Sequence, residues 1–154
     1  MRQVEDHIGG LTAYLLRGLT ALRHPGGQPL VTVYGPRDLE RRGGTVAFNV
    51  LDSTGAALPF DKVVAFAASQ GVSVRGGCFC NAGCDEAALG LKPQRARECR
   101  RQLRGSYDPV SFSACTGRAA GAVRASLGIP TIESDIDRLL DTLERSKVVA
   151  SSAD

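Results

Sequence analysis

The sequence has no long apolar run. No stretch approaches the ~20 consecutive apolar residues that a membrane-spanning helix needs. Arg2 is followed at once by Gln3 and Glu5 rather than by the apolar segment of a signal peptide. These features argue against a membrane or secreted protein and predict a cytoplasmic location. The 154 residues match the size of one domain, and an apolar share of 43% is enough for a buried core.

Lysine and histidine are also scarce. Lys62, Lys92 and Lys147 are the only lysines among 19 basic residues, and the net charge is +3. A charge this small does not by itself indicate binding to nucleic acid. The two histidines, His7 and His24, both fall in the first predicted helix or at its end, far from the cysteines. The chain therefore offers few ligands for a metal site of mixed cysteine and histidine.

Five cysteines is an odd number, which excludes a fully paired disulfide framework. Cys78, Cys80 and Cys84 lie close together, whereas Cys99 and Cys115 are distant. We expect the distant pair to be small buried apolar residues, because free cysteines are among the most buried residue types. The cluster suggests a reactive thiol or a metal site. Zinc is the less favoured of the two, since structural zinc sites use four ligands, and no metal is predicted.

The periodicity of apolar residues predicts an α+β fold. Helical spacing indicates an amphipathic first helix and last helix, and β-branched runs bounded by turn residues indicate strands. The prediction is a small, mainly antiparallel sheet with helices packed on one face, formed by residues 3–147 and followed by a flexible tail, 148–154. The predicted helices cover residues 3–23, 59–71, 85–90, 93–104 and 134–147, and the predicted strands 30–34, 45–50, 72–75 and 121–127.

The segment after the third predicted strand carries the candidate chemistry. The strand ends at Arg75, two glycines follow, and the chain then presents Cys78 and Cys80. Only a thiolate is a good nucleophile, and a nearby cation lowers the pKa of a thiol. A catalytic thiol beside Arg75 is one interpretation. Small buried cysteines with no chemical role are the other, and the residues alone leave both open.

Arg124 and a cluster of arginines on a predicted helix each have two interpretations. Arg124 lies in a strand of otherwise small and apolar residues, so it either points to water at a sheet edge or binds an anion such as a carboxylate. The helix from residue 93 carries an arginine cluster that is either a solvated face or a docking patch for an acidic partner. No aromatic residues interleave with the cluster, so nucleic acid is not a predicted partner. The cluster consists of Arg95, Arg97, Arg100, Arg101 and Arg104.

Taken together, these motifs resemble a known family. The chain is similar to the C-terminal small domain of class V, fold-type I enzymes that use pyridoxal phosphate, and within them to the cysteine desulfurase and molybdenum cofactor sulfurase type. The resemblance covers about residues 5–147, in the same order. It is carried by Val33-Tyr34-Gly35-Pro36, Gly44-Thr45-Val46-Ala47-Phe48-Asn49, Arg75-Gly76-Gly77-Cys78-Phe79-Cys80-Asn81, Gly121-Ala122-Val123-Arg124 with Ala125-Ser126-Leu127, and Asp137-Arg138-Leu139.

The resemblance implies a main role for three residues and an auxiliary role for two. Cys80 matches the cysteine that accepts sulfur from a cysteine substrate as a persulfide, and Arg124 matches the arginine that binds the substrate carboxylate. Arg75 would help to bind substrate and organise the loop, while Cys78 and Cys84 would be auxiliary thiols. Ala82 and Cys84 depart from the family, whose members often have proline and a small residue at these positions.

The resemblance also implies partners that this chain does not contain. The complete enzyme holds pyridoxal 5'-phosphate through a lysine of a large domain, and none of the three lysines here has the matching context. The chain alone is therefore not expected to bind the cofactor covalently. Its expected partners are a large domain or subunit, a small amino-acid substrate and a sulfur-acceptor protein. The alternative is a freestanding persulfide carrier or non-catalytic thiol module.

Overall fold

The computed structural model describes residues 2–79, 81–103 and 108–147, which form six helices and a four-stranded sheet. Cys80, Arg104 and the predicted tail, 148–154, lie outside the described residues. The α+β prediction is confirmed. The helices are α1 (Arg2–Ala21), α2 (Phe60–Ser69), α3 (Ala82–Leu89), α4 (Pro93–Gln102), α5 (Pro109–Thr116) and α6 (Glu133–Arg145), and the strands are β1 (Val31–Tyr34), β2 (Thr45–Val50), β3 (Arg75–Gly77) and β4 (Ala122–Ser126).

The sheet has the order β1-β2-β4-β3, and every described pair of strands is antiparallel. Phe48 of β2 lies opposite Val33 on one side and Val123 on the other. Residues directly opposite each other point to the same face of a sheet, so these three share one apolar face. The next position along places Ala47 between Tyr34 and Arg124 on the other face.

The apolar face forms the main core with three helices. Leu15 and Leu19 of α1 and Leu143 of α6 are at most 1% exposed, as is Phe48 on the sheet. The apolar residues of α1 and α6 recur at helical spacing, which is why each helix buries one stripe and exposes the rest. Helix α2 adds Val63 to the same core. This part of the molecule fixes the sheet on which the candidate site is built.

A second, smaller cluster is formed by α3, α4 and α5. Its buried members include Leu89, Ala96 and Phe112, and Tyr34 packs against it from the polar face of the sheet. The structure corrects the prediction for two cysteines, because Cys99 and Cys115 form a disulfide with their Cα atoms 5.8 Å apart. The prediction failed because the pairing depends on how α4 packs on α5, and α5 had not been predicted.

Two further elements differ from their predictions. The third strand was predicted at 72–75, but the residues that pair with β4 are Arg75, Gly76 and Gly77. Helix α5 begins where Asp108 accepts hydrogen bonds from the backbone N–H groups of Val110 and Ser111, which is a standard cap for a helix N-terminus. None of the described helices combines the length and apolar character needed to cross a bilayer.

Candidate active site

The register of β3 and β4 places two arginines side by side. Arg75 lies directly opposite Arg124, and the pairing continues through Gly76 with Val123. Both guanidinium-bearing side chains therefore leave the same face of the sheet, which is the face opposite the main core. Arg75 is exposed and Arg124 is half-buried. The structure thus brings together two of the three residues to which the sequence assigned a role.

This pair of cations has no acidic partner among the described residues. The two ion pairs described there join Arg95 to Glu98 and Lys147 to Glu144, so neither Arg75 nor Arg124 takes part in one. Like charges directly opposite each other destabilise a strand pair. The Nε atom of Arg124 is also buried with no hydrogen-bond partner. A bound anion such as a carboxylate would offset the repulsion between the arginines and would offer Arg124 a hydrogen-bond acceptor. A guanidinium donates bidentate hydrogen bonds to a carboxylate.

Close approach of backbones explains the glycines beside the arginines. A Cβ atom at Gly121 would lie 2.7 Å from the carbonyl oxygen of Gly77, and one at Gly76 would lie 2.5 Å from a ring carbon of Phe60. Real Cβ atoms do not come this close to other heavy atoms. The two glycines after Arg75, which the sequence analysis placed after the strand, are part of it, since both pair with β4. They hold the start of the thiol segment against β4 and α2.

A hydrogen-bonded network that the sequence analysis missed supports the same face. Asn49 is 1% exposed, and its Nδ2 donates to the Tyr34 hydroxyl at 3.1 Å and to the Gly121 carbonyl at 3.0 Å. The Tyr34 ring meets Phe79 edge to face, with ring centroids 6.2 Å apart. Burial raises the pKa of Tyr34, against the opposing effect of the Asn49 hydrogen bond. An asparagine inside an apolar strand was the available signal.

The thiol segment continues from β3 into α3. Cys78 is half-buried and Cys84 is exposed, and both are free thiols. Asn81 caps α3, since its Oδ1 accepts hydrogen bonds from the N–H groups of Gly83 and Cys84 at 3.0 and 3.2 Å. Cys80, the predicted sulfur acceptor, precedes this cap in the sequence and lies outside the described residues.

The described residues do not supply a site for pyridoxal phosphate. Lys62 and Lys92 are exposed on α2 and at the start of α4, while Lys147 pairs with Glu144 at 3.1 Å. None of these lysines lies on the strands that carry the pair of arginines. The described residues therefore do not fit the cofactor by themselves. Among the described residues, which do not include Cys80, no three metal-ligating side chains lie together.

Comparison with known proteins supports the family resemblance. The chain is 38% identical over 149 residues to a protein of Drosophila melanogaster named molybdenum cofactor sulfurase, a match that covers 95% of this chain and 19% of that protein. A protein of the same name from Drosophila mojavensis is 36% identical over 155 residues. The chain thus spans about a fifth of the length of the curated relatives it matches. No protein-family model matches it.

A solved structure supports the fold. The apo structure of a cysteine desulfurase from Thermococcus onnurineus NA1 matches 95% of this chain and 26% of its own, with a TM-score of 0.58 and 21% identity. These comparisons confirm the resemblance to the cysteine desulfurase and molybdenum cofactor sulfurase type. They also confirm that the fold of this chain is one found as a part of a larger desulfurase chain.

Proposed function

We propose that this chain is the small domain of a sulfurase that takes sulfur from cysteine and forms a persulfide on Cys80. The observation that carries the proposal is the Arg75–Arg124 pair, which lies on one face of the sheet and has no acidic partner among the described residues. The same strand, β3, leads within three residues to Cys80. One arginine of the pair and the predicted sulfur acceptor thus belong to one short segment of chain, and β4 brings Arg124 beside that segment.

In this proposal the substrate carboxylate binds Arg124. Its planar guanidinium can donate two parallel hydrogen bonds, which fixes the orientation of the substrate as well as its position. Arg75, directly opposite, adds positive charge and stabilises the thiolate form of a nearby cysteine. The N-terminus of α3, which begins two residues after Cys80, favours a thiolate in the same way.

The proposed reaction is balanced without any further oxidant. The Cys80 thiol and a cysteine molecule give a persulfide on Cys80 and alanine. An S–S bond forms as the C–S bond of the substrate breaks, and the carbon gains a proton. The pyridoxal phosphate that such chemistry uses would be held by a large domain, because the lysines of this chain lie elsewhere. The chain alone, mixed with cysteine and pyridoxal phosphate, is accordingly expected to release no sulfide.

A chimaera tests the proposal. The D. melanogaster relative is rebuilt with this chain in place of its own matching segment, and sulfide release and the mass of Cys80 are measured with cysteine as substrate. We expect turnover and a gain of about 32 Da, one sulfur atom, on Cys80. Cys80→Ser should lower turnover by at least about a hundredfold, because the nucleophile is lost. Cys84→Ser, a matched change at an exposed thiol, should retain it.

The substrate role of Arg124 has its own test in the chimaera. Arg124→Lys keeps the charge but cannot form bidentate hydrogen bonds to the carboxylate, so KM for cysteine should rise about tenfold or more. Arg145→Lys is the control, since Arg145 is an exposed arginine of α6, which packs on the opposite, apolar face of the sheet. An unchanged KM in Arg124→Lys would contradict the assignment. A folded chimaera that binds cofactor but leaves Cys80 unmodified would overturn the proposal.

A further inference from the structure

Helix α4 presents a ridge of arginines to solvent. Its inner positions, Ala96 and Cys99, are fully buried in the second cluster. Arg97, Arg100 and Arg101 are exposed on the outer side. At 100° per residue these three lie within about one third of the helix circumference. We call them the arginine ridge. Because the apolar side of α4 is already covered, the ridge is a charged surface on a fixed support.

The arginines of the ridge form no ion pair among the described residues. Arg95 pairs with Glu98 at 3.2 Å, whereas neither described ion pair includes Arg97, Arg100 or Arg101. Arg97 and Arg101 are four residues apart, a spacing at which like charges repel. Cations in the last turn of a helix are stabilised by its dipole, which accounts for Arg100 and Arg101. The dipole does not account for Arg97.

One member of the ridge is held in place. The guanidinium of Arg100 lies 5.7 Å from the centre of the Phe112 ring, and Phe112 is itself 2% exposed on α5. A cation over an aromatic face is attracted by it, which limits the motion of a long side chain. Because the Arg100 side chain is already ordered, it loses less conformational entropy when a partner binds. The surface is extended at the other end of α4 by Lys92 and Arg118, which line a cavity of about 330 Å³ with Arg95.

The arginine ridge and the thiol segment are supported by the same cluster. Phe79, one residue before Cys80, packs against the buried cluster that contains Ala96 and Cys99 of α4. The arginine ridge is the outer side of the helix whose inner side belongs to that cluster. The ridge and the residue that precedes Cys80 are therefore attached to one packed unit.

We propose that the arginine ridge docks an acidic segment of the protein that accepts sulfur from Cys80. The acceptor role rests on the proposed function, whereas the acidic character of the partner rests on the ridge alone. Charge complementarity steers two proteins together and raises their association rate. A protein is favoured over nucleic acid because, in the part of the chain that the structure describes, no exposed aromatic ring accompanies the ridge for base stacking. A membrane surface is disfavoured because the apolar side of α4 is buried.

Binding of an acidic peptide tests the ridge directly. The probe is a fluorescent 12-residue peptide of glutamate and aspartate, titrated with the 154-residue chain at 20 to 300 mM salt. Arg97→Glu with Arg101→Glu should weaken binding by at least about tenfold at low salt. Arg37→Glu with Arg41→Glu is the matched control, because it changes net charge equally at two exposed loop arginines. The control should change binding by no more than about twofold to threefold.

Several outcomes would overturn the ridge as a protein-docking surface. These are no binding by the unsubstituted chain, equal loss in the two double variants, or equal binding of a glutamine and asparagine peptide. Tighter binding of a single-stranded oligonucleotide, or of vesicles containing phosphatidylserine, through the same arginines would reassign the partner. Arg97→Lys with Arg101→Lys should retain binding, which separates loss of charge from loss of folding.

A second measurement links the ridge to Cys80 without the cofactor. The same peptide carries a terminal cysteine activated as a pyridyl disulfide, so that a thiolate displaces thiopyridone and forms a mixed disulfide. We expect Cys80 to react faster than Cys84, and this preference to fall about tenfold in Arg97→Glu with Arg101→Glu. Peptide binding without any preference for Cys80 would contradict the acceptor role but leave the docking surface. Preference for Cys80 in an inactive chimaera would place the failure in the proposed function instead.

Discussion

The two hydrophobic clusters of this molecule are built differently. Among the described residues, the main core contains fifteen buried apolar residues from the sheet, the loop before β1, and α1, α2 and α6, whereas the second cluster contains six from α3, α4, α5 and adjoining loops. A small cluster removes little apolar surface from water, and the free energy of folding that it supplies is correspondingly small. The second cluster holds a disulfide as well, between Cys99 and Cys115. The cross-link compensates for limited burial.

The two clusters also support different parts of the proposed site. The main core orients the sheet, and so fixes the distance between the strands that carry Arg75 and Arg124. The second cluster packs against Phe79 and carries the arginine ridge on its outer side. Regions with few buried contacts open more easily than the core of a domain. The part of the chain assigned to sulfur transfer is thus supported by the less extensive of the two clusters.

The largest expected effect comes from matched phenylalanines in the two clusters. Phe48→Ala removes a fully buried ring from the main core and should lower the free energy of unfolding by about 3–5 kcal/mol. Phe112→Ala removes a ring that is 2% exposed from the second cluster. We expect the first change to reduce hydrogen-exchange protection throughout the chain, and the second to reduce it mainly in α4 and α5.

Urea denaturation measures the free energy of unfolding of the two variants, and hydrogen exchange measures which helices lose protection in each. Phe48→Leu is the milder substitution if Phe48→Ala does not fold. If Phe112→Ala removed protection from α1 and α6 as completely as from α5, the two clusters would be one cooperative unit, and the contrast drawn between them would be wrong.

The disulfide should have the next largest effect. Replacing Cys99 and Cys115 together with alanine removes a cross-link that spans 16 residues, which is worth about 3 kcal/mol. We expect exchange protection in α4 and α5 to fall, with α1 and α6 retained. Dithiothreitol should produce the same loss in the unsubstituted chain and no further change in the variant. A Cys78→Ala and Cys84→Ala chain, which keeps the disulfide, should respond to the reductant as the unsubstituted chain does.

The sequence predicted the elements that obey a strong period. The first and last helices begin and end within two residues of their predicted limits, because each buries one apolar stripe. It placed the third strand too early, at 72–75 rather than at Arg75–Gly77, since a glycine pair is typical of a loop. What makes Gly76 part of a strand is the approach of Phe60 and β4, which are distant in the sequence. Helix α5 is short and lacks an apolar stripe, so only its Asp108-Pro109 start could have indicated it.

The candidate site was accessible from the sequence only in part. The strand that carries Arg124 could be predicted, but the position of Arg75 directly opposite depends on the register of β3. The Cys99–Cys115 disulfide was wrongly predicted as two unpaired buried cysteines, because no local pattern shows which helices will meet. The roles assigned to Cys80, Arg124 and Arg75 come from the family resemblance, and they stay predictions.

The smallest expected effect concerns Tyr34, which links the sheet to the second cluster. Tyr34 receives a hydrogen bond from Asn49 on the sheet, and its ring contacts Phe79 beside the second cluster. Tyr34→Phe removes the hydroxyl and should lower the free energy of unfolding by about 1 kcal/mol near pH 8.

Because burial raises the pKa of Tyr34, the folded chain keeps this hydroxyl neutral at a pH where the unfolded chain ionises it. Its contribution is therefore complete below the ordinary tyrosine pKa of about 10 and is lost as pH rises through the folded value. Urea denaturation at pH 8 and above pH 10 should show the difference between the two chains shrinking at the higher pH. A difference that grew with pH would mean that the hydroxyl ionises more readily in the folded chain, and that the junction between the clusters is open to solvent.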